Sequence, residues 1–162
     1  MSEADRIRVG SPLPRLAHVE AVPGSLRVIV SWAGGARAGR RDVIDLAPHL
    51  YTYRMFGGLR ADPALFAQVR LGEWGASIGW GVDDGLDIPA SALESLAEKA
   101  MTNADFTAFL ERHHLTLDGA AAQLGISRRL VAYYAKDREI PRLVALACAY
   151  LDQAGPQQPA AR

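Results

Sequence analysis

The side chains with the most distinctive chemistry are four basic residues and a tyrosine that follow Ser127 at helical spacing. They are Arg128, Arg129, Tyr133, Lys136 and Arg138. A guanidinium can donate two hydrogen bonds to O6 and N7 of guanine, and both kinds of cation can pair with phosphate. Taken singly, such side chains are ordinary solvated charges, so their interpretation depends on the element that carries them.

The rest of the chain offers few groups for metal binding. None of the four histidines, which are His18, His49, His113 and His114, has a metal-ligand spacing to another histidine or to a cysteine. An acidic stretch from Asp83 to Glu94 lacks the glycine placement of a calcium loop and is predicted to be a solvated turn. The sequence therefore predicts no metal and no cofactor.

Catalytic groups are equally sparse. The glycine-rich stretch 34–39 lacks the Lys and Ser/Thr of a phosphate loop and is predicted to be a hairpin loop. Cys148 lies on the apolar side of a predicted helix and is assigned to the core. Trp74 and Trp80 could line a small-ligand pocket, but core packing is favoured. These observations predict that the protein is not an enzyme.

The basic residues belong to two predicted short helices within residues 116–136, joined at Gly125. Thr116 can cap the first helix, Gly125 can end it with a positive φ, and Ser127 can cap the second. One apolar face is predicted for each helix. The first face is Ala120, Ala121 and Leu124, and the second is Leu130, Val131 and Tyr134.

This stretch resembles the helix-turn-helix of the Cro and lambda-repressor class. The resemblance covers about residues 105–152, and the residues that carry it are Ala121, Gly125, Ile126, Val131 and Tyr134. It implies an all-α domain whose second helix enters the DNA major groove with its N-terminal end near the bases. Leu117 departs from the pattern, because relatives often carry a phosphate-contacting Gln there, so that contact is not carried over.

The resemblance implies double-stranded DNA as the partner. The predicted DNA-binding residues are Ser127, Arg128, Arg129, Tyr133, Lys136 and Arg138. Ser127 would hold a phosphate, and the two arginines after it would read base edges. Tyr133 would pack on a thymine methyl or reach a phosphate, and the last two residues would contact the backbone. A homodimer is also expected, because such domains usually act in pairs on two half-sites.

The N-terminal half alternates apolar and polar residues in short runs. It predicts a small antiparallel sheet with strands at about 16–22, 26–32, 42–46 and 76–80. Asp62 followed by Pro63 predicts the start of a helix. Over about residues 15–90 this half resembles a small bacterial domain family of unknown function. The motifs that carry the resemblance are Val19-x-x-Val22-Pro23-Gly24, Leu26 to Trp32, Val43-Ile44-Asp45-Leu46, Asp62-Pro63-x-Leu65-Phe66 and Trp80-Gly81-Val82-Asp83 leading into Asp87-Ile88.

The predicted fold class is α+β, with the sheet domain followed by the helical domain. Residues 1–90 form the first domain, of which 1–13 are a loose arm, and 91–102 form a connecting helix. Residues 103–155 form the DNA-binding domain, and 156–162 a disordered tail. A capping box of Ser91 and Glu94 is expected to start the connecting helix, whose apolar stripe is a candidate dimer surface. Asn103 is expected to cap the first helix of the DNA-binding domain.

Composition sets further limits. Apolar residues make up 49% of the 162, and the formal net charge is zero, so no global field favours nucleic acid or membrane. Residues 128–142, however, hold five basic and two acidic side chains. The single Cys148 excludes an internal disulfide and fits a reducing compartment. With no signal-peptide pattern and no run of ~20 apolar residues, a cytoplasmic bacterial protein without a membrane partner is expected.

Together these observations predict a DNA-binding protein, a transcriptional regulator that reads the major groove with the helix at 127–136. Its first domain would dimerise, sense a ligand or bind a partner protein. The alternative is a non-enzymatic interaction or antitoxin-like module whose helical domain binds protein. Retention on DNA at low salt, and release by salt, distinguishes the two.

Overall fold

The computed structural model describes Gly10, residues 12–81 and residues 85–155. Two three-stranded antiparallel sheets and eight α-helices lie within these residues. The chain divides into two compact units between Ala97 and Glu98. Both sheets belong to the first unit, and the described part of the second unit contains helices only. The predicted α+β class is thereby confirmed.

Three sequence predictions fall wholly or partly outside the described residues. Most of the predicted loose arm lies there, since only Gly10, Pro12 and Leu13 of it are described. The same holds for residues 82–84, which include Asp83 and Asp84 of the predicted acidic turn, and for the predicted tail at 156–162.

The first sheet contains β1 (Arg15–Ala21), β2 (Arg27–Gly34) and β3 (Arg41–Asp45) in sequential antiparallel order. The predicted β1–β2 hairpin is present, and the N–H of Val22 closes its turn on the carbonyl of Arg27 at 2.9 Å. The side chains of β2 point alternately to the two faces of the sheet, and its even-numbered apolar residues are buried, as expected. They are Val28, Val30 and Trp32.

The second sheet contains β4 (Arg70–Leu71), β5 (Ser77–Trp80) and β6 (Leu86–Pro89), again in sequential antiparallel order. Ile78 on β5 faces Ile88 on β6, and both are fully buried. The indole of Trp80 satisfies its only donor by a 2.9 Å hydrogen bond from Nε1 to the carbonyl of Phe66. Trp80 is therefore a core residue of this unit.

Three short helices connect the sheets: α1 (Ala47–Thr52), α2 (Gly57–Ala61) and α3 (Pro63–Phe66). The helix start at Asp62 is confirmed, because its carboxylate accepts from the N–H groups of Ala64 and Leu65. The first two helices were not predicted. Pro48 lies in the first turn of α1, where a missing N–H costs nothing.

Helix α4 spans Ala90–Glu98 and follows β6 without a loop. It begins one residue before Ser91, so the predicted capping box with Glu94 is wrong. Leu93 and Ala97 are buried among the core residues of the first unit. The apolar stripe that was a candidate dimer surface therefore stabilises its own unit, since these two residues are no longer accessible.

The second unit contains α5 (Asn103–Arg112), α6 (Leu117–Leu124), α7 (Arg128–Lys136) and α8 (Arg142–Ala154). The buried residues of its core come from all four helices and the loop before α8. They are Phe106, Phe109, Leu110, Ala120, Val131, Tyr134, Ile140, Val144 and Cys148. The start of α5 corrects a prediction: the capping residue is Thr102, in a capping box with Asp105, and not Asn103.

The helices in the described ranges are short. The longest helix, α8, has 13 residues, whereas a membrane span needs ~20 apolar ones. Within the described ranges, no helix is both long enough and apolar enough to cross a bilayer.

Candidate nucleic-acid interface

Helix α6 begins and ends as its sequence predicts. The hydroxyl of Thr116 accepts from the N–H of Gly119 at 3.1 Å, which satisfies one of the unpaired donors of the first turn. Gly125 ends the helix with φ +66°, a conformation that glycine adopts without a steric penalty. The N–H of Ile126 then donates to the carbonyl of Ala121 at 3.1 Å, which turns the chain toward α7.

Helix α7 has one buried and one exposed face. Ser127 caps it by accepting from the N–H of Leu130 at 3.2 Å, as predicted. Val131 and Tyr134 are buried in the core of the unit, and Leu130 is partly buried against it. The opposite face is left to the polar residues of the helix.

The structure places all six predicted DNA-binding residues on α7 or directly beside it. Tyr133 is half-buried and the other five are exposed; these are Ser127, Arg128, Arg129, Lys136 and Arg138. The sequence thus indicated correctly which residues of α7 face away from the core.

Three of these side chains form a cluster around an aromatic ring. Arg129 donates from Nε to the hydroxyl of Tyr133 at 2.7 Å, and its Cζ lies 5.4 Å from the ring centroid. The Cζ of Arg138 lies 5.2 Å from the same centroid. Both distances are within the range of a cation–π interaction.

Arg128 has a different neighbour. Its Nε lies 3.3 Å from the carboxylate of Asp118, in the first turn of α6. Side-chain exposures of 63% for Arg128 and 77% for Asp118 make this a weak, solvent-screened ion pair. Lys136, by contrast, forms no ion pair with any residue that the structure describes.

Sequence reasoning missed the residue that holds the end of α7. The side-chain amide of Asn103 donates to the carbonyl of Tyr134 at 2.8 Å and to that of Arg138 at 2.7 Å. These carbonyls have no intrahelical partner, because they lie in the last turn and beyond it. Asn103 on α5 therefore positions the segment that carries Lys136 and Arg138.

A second group of polar residues connects α5 to α8. Asp152 accepts from Arg112 Nη2 at 2.9 Å, and its other oxygen lies 2.7 Å from His113 Nε2. Burial by itself raises the pKa of Asp152, but the hydrogen bonds to His113 and Arg112 outweigh burial, and the pKa lies below its usual range. The Asp152 carboxylate thus lies beside His113 at the C-terminal end of α5.

The remaining candidates for chemistry are structural. Cys148 is fully buried, and burial raises the pKa of its thiol to about 11, so it stays protonated and unreactive at neutral pH. Trp80 is 2% exposed and lies in the core as predicted, whereas Trp74 is 82% exposed, so core packing is wrong for Trp74 and the two do not line one pocket. In the described ranges, no group of three or more potential metal ligands comes together.

The loop at 34–39 is held by an ion pair at its base. Arg37 binds both carboxylate oxygens of Asp42, at 2.7 and 3.0 Å, and the indole of Trp32 donates to one of them at 2.7 Å. The hydrogen bond from Arg37 is the main reason that the pKa of Asp42 lies below its usual range, although burial opposes it. The loop therefore closes a hairpin, as predicted, and Arg37 is engaged within it.

Comparison with known proteins gives little further assignment. No protein-family model matches the chain, and no curated protein matches it, so both family resemblances stay predictions. A solved structure from Nitrosomonas europaea ATCC 19718, named a "Putative DNA Binding Protein", is 28% identical to this chain. The match covers 91% of this chain and 94% of the chain of that structure, with a TM-score of 0.43. A TM-score this low does not establish a common fold, so the comparison assigns neither fold nor function here.

Proposed function

We propose that α6 and α7 form a helix-turn-helix of the lambda-repressor-like class and that the protein is a transcriptional regulator that reads the DNA major groove with α7. The observation that carries the proposal is the two-sided character of α7. One face is buried in the core through Val131 and Tyr134, and the other presents Arg128, Arg129 and Lys136 to solvent. The proposal includes no catalytic activity and no cofactor.

The dimensions of α7 suit the proposed groove. An α-helix with its side chains is about 10–12 Å in diameter, and the nine residues of α7 form about 13 Å of such a helix. A major groove about 12 Å wide admits a helix of this kind. Inserted by its N-terminal end, α7 would bring Ser127 near a phosphate and Arg128 and Arg129 near base edges. Lys136 and Arg138, at the other end, would contact the DNA backbone.

The distribution of charge along the chain also supports a DNA-facing α7. Although the chain as a whole is neutral, residues 128–142 hold five basic side chains against two acidic ones. Phosphate contacts give affinity that does not depend on sequence, whereas the base contacts give specificity. A basic helix face on a neutral protein would concentrate the attraction for DNA on the reading element itself.

Selection from random duplex DNA tests the proposal most directly. The full-length protein is expected to enrich a motif at 50 mM salt, at the low-salt end of the range where phosphate-dependent binding is strong. The enriched duplex should then compete better than a scrambled duplex of the same composition. If no duplex is enriched, or the two duplexes compete equally, the proposed sequence-reading role is wrong. The alternative, in which the helical domain binds protein, is then favoured.

A homodimer is part of the proposal, since one α7 reads only a few base pairs. Among the described residues of the second unit, the exposed large apolar side chains all lie on α8. They are Leu143, Leu146 and Tyr150. Two antiparallel copies of α8 crossing at Leu146 would bring Leu143 of one copy against Tyr150 of the other, so this face is complementary to itself.

The dimer is expected to be lost in the variant Leu146→Glu, because the symmetric contact would place two carboxylates together in an apolar interface. Light scattering at tens of micromolar, where dimers with micromolar constants form, should show a dimer for the wild type and a monomer for the variant. Gln123→Glu adds the same charge at an exposed position of α6 and should leave the dimer intact. A monomeric wild type would contradict the proposed assembly.

Asp118 is expected to weaken DNA binding, because its carboxylate lies beside Arg128 at the proposed interface. Asp118→Asn should raise the affinity for a selected duplex about two- to fivefold, since one repulsive charge near phosphate is removed. The same change should lower the free energy of unfolding by about 0.3–1 kcal/mol through lost interaction with the dipole of α6. Glu111→Gln, at an exposed position of α5, is the control. Unchanged or weaker binding by Asp118→Asn would place Asp118 away from the DNA.

A further inference from the structure

The cluster of Arg129, Tyr133 and Arg138 suggests a more specific role for the tyrosine than direct contact with DNA. We propose that Tyr133 is a positioning residue that holds Arg129 in the orientation needed to read a guanine. This inference rests on the proposed function of α7. It differs from the sequence-based expectation that Tyr133 itself touches a thymine methyl or a phosphate.

The hydrogen bond to Tyr133 determines which donors of Arg129 remain available. A guanidinium has five N–H donors in a fixed planar arrangement. In Arg129 the Nε–H is used, since it donates to the Tyr133 hydroxyl at 2.7 Å. The four donors on the two Nη atoms are left, and this end can bind O6 and N7 of guanine together. Tyr133 thus binds the Nε side of the Arg129 guanidinium and leaves the two Nη atoms free for a base.

The tyrosine can serve as a support because its own position is fixed from several sides. It lies four residues after Arg129, so the two share one face of α7. On its other side the N–H of Arg138 donates to the Tyr133 carbonyl at 3.0 Å. The Arg138 carbonyl in turn accepts from the side chain of Asn103 on α5 at 2.7 Å. The guanidinium of Arg138, 5.2 Å from the ring centroid, covers the aromatic ring.

Such a support matters because a free arginine side chain on a helix surface samples many rotamers. Freezing a flexible side chain on binding carries an entropic cost, and holding it beforehand lowers that cost. A guanidinium already oriented at the N-terminal half of α7 would bind guanine more tightly without any added contact to DNA. The advantage should appear only at the base pair that Arg129 reads.

Tyr133→Phe tests the inference, because it removes the accepting hydroxyl and keeps the ring. Binding of the full-length variant to the selected duplex should weaken about three- to tenfold, the range expected for one lost hydrogen bond. Replacing the guanine that Arg129 reads should then cost the variant less than it costs the wild type. The salt dependence should be unchanged, because no phosphate contact is lost. In an Arg129→Ala background, Tyr133→Phe should have no further effect.

Tyr51→Phe is the control, because Tyr51 is also a tyrosine whose ring is covered by an arginine, with Arg60 Cζ 4.9 Å from its ring centroid. It lies in the first unit and should leave DNA binding unchanged. Full base preference in Tyr133→Phe would overturn the inference and leave the proposed function intact. Equal weakening toward all sequences would also overturn it, by assigning Tyr133 a contact with the DNA backbone. A wild type that binds no selected duplex would overturn both.

A measurement without DNA tests the geometry itself. In the free protein, the Nε–H of Arg129 should give a resolved NMR signal that exchanges slowly with water, because this proton is held by the Tyr133 hydroxyl. The signal should broaden or disappear in Tyr133→Phe and persist in Tyr51→Phe. An Nε–H signal that is the same in the wild type and Tyr133→Phe would show that the hydroxyl does not hold Arg129, and the inference would fail.

Discussion

Raising the salt concentration from 50 to 200 mM should weaken the complex with a selected duplex about a thousandfold. The expectation follows from counterion release, in which log K falls against log salt with a slope of about −0.9 for each phosphate neutralised. With ~3 phosphate contacts per subunit, a dimer has a slope near −5, and a fourfold change in salt then changes K by about three powers of ten. The candidate phosphate contacts are the exposed basic side chains Lys136, Arg138 and Arg142.

Titration of labelled duplex at four or more salt concentrations measures this slope. Lys136→Ala should flatten it by about one per subunit and weaken all sequences alike, because Lys136 is assigned a backbone contact only. The chain has one other lysine, the exposed Lys99, and Lys99→Ala is therefore a matched control that should leave the slope unchanged. Binding that does not depend on salt would show that the basic face of α7 does not contact phosphate.

Arg129→Ala should cost ~1–3 kcal/mol of binding free energy and relax the preference at one base pair per half-site. The physical reason is the loss of a two-hydrogen-bond contact to guanine, which water cannot replace with the same geometry. The fold should be unaffected, since Arg129 is exposed and Tyr133 keeps its contact with Arg138. Competition between duplexes that differ at single base pairs gives the preference, and thermal unfolding checks the fold.

Arg128→Ala is the informative companion to Arg129→Ala. Arg128 occupies the adjacent exposed position but is paired with Asp118, so part of its binding energy is spent in separating the ion pair. Arg128→Ala should therefore weaken DNA binding less than Arg129→Ala does. If both variants bind the selected duplex with unchanged affinity and preference, α7 is not the reading helix.

Several structural features of this protein can be predicted from the sequence alone, because the interactions that form them join residues only a few positions apart. Thr116, Ser127 and Asp62 each cap a helix by accepting from an N–H two or three positions later, so the residue type and its place in the chain are sufficient. Gly125 ends α6 through its own backbone freedom. The alternation along β2 predicts its buried face by the same local logic. Helical periodicity likewise predicts which residues of α7 face outward, and Arg128, Arg129 and Lys136 are exposed.

The unpredicted parts depend on residues far apart in the chain. Helices α1 and α2 contain a proline and two adjacent glycines and lack a clear period, so they are stabilised by packing of Leu50 and Leu59 in the core. Asn103 looked like a helix cap, but its amide reaches carbonyls more than thirty positions away. The apolar stripe of α4 is evident in the sequence, yet only the tertiary structure shows that its own unit covers it.

The same division applies within the candidate site. Helical spacing alone predicts that Arg128, Arg129 and Tyr133 lie outside the buried face of α7. The partner of each side chain depends on how the elements pack in three dimensions. Asp118 reaches Arg128 because α6 and α7 meet across the turn at Gly125, and Arg138 reaches Tyr133 because the chain turns after Lys136. Side-chain partners depend on how elements pack, and a one-dimensional pattern of polar and apolar residues does not contain that information.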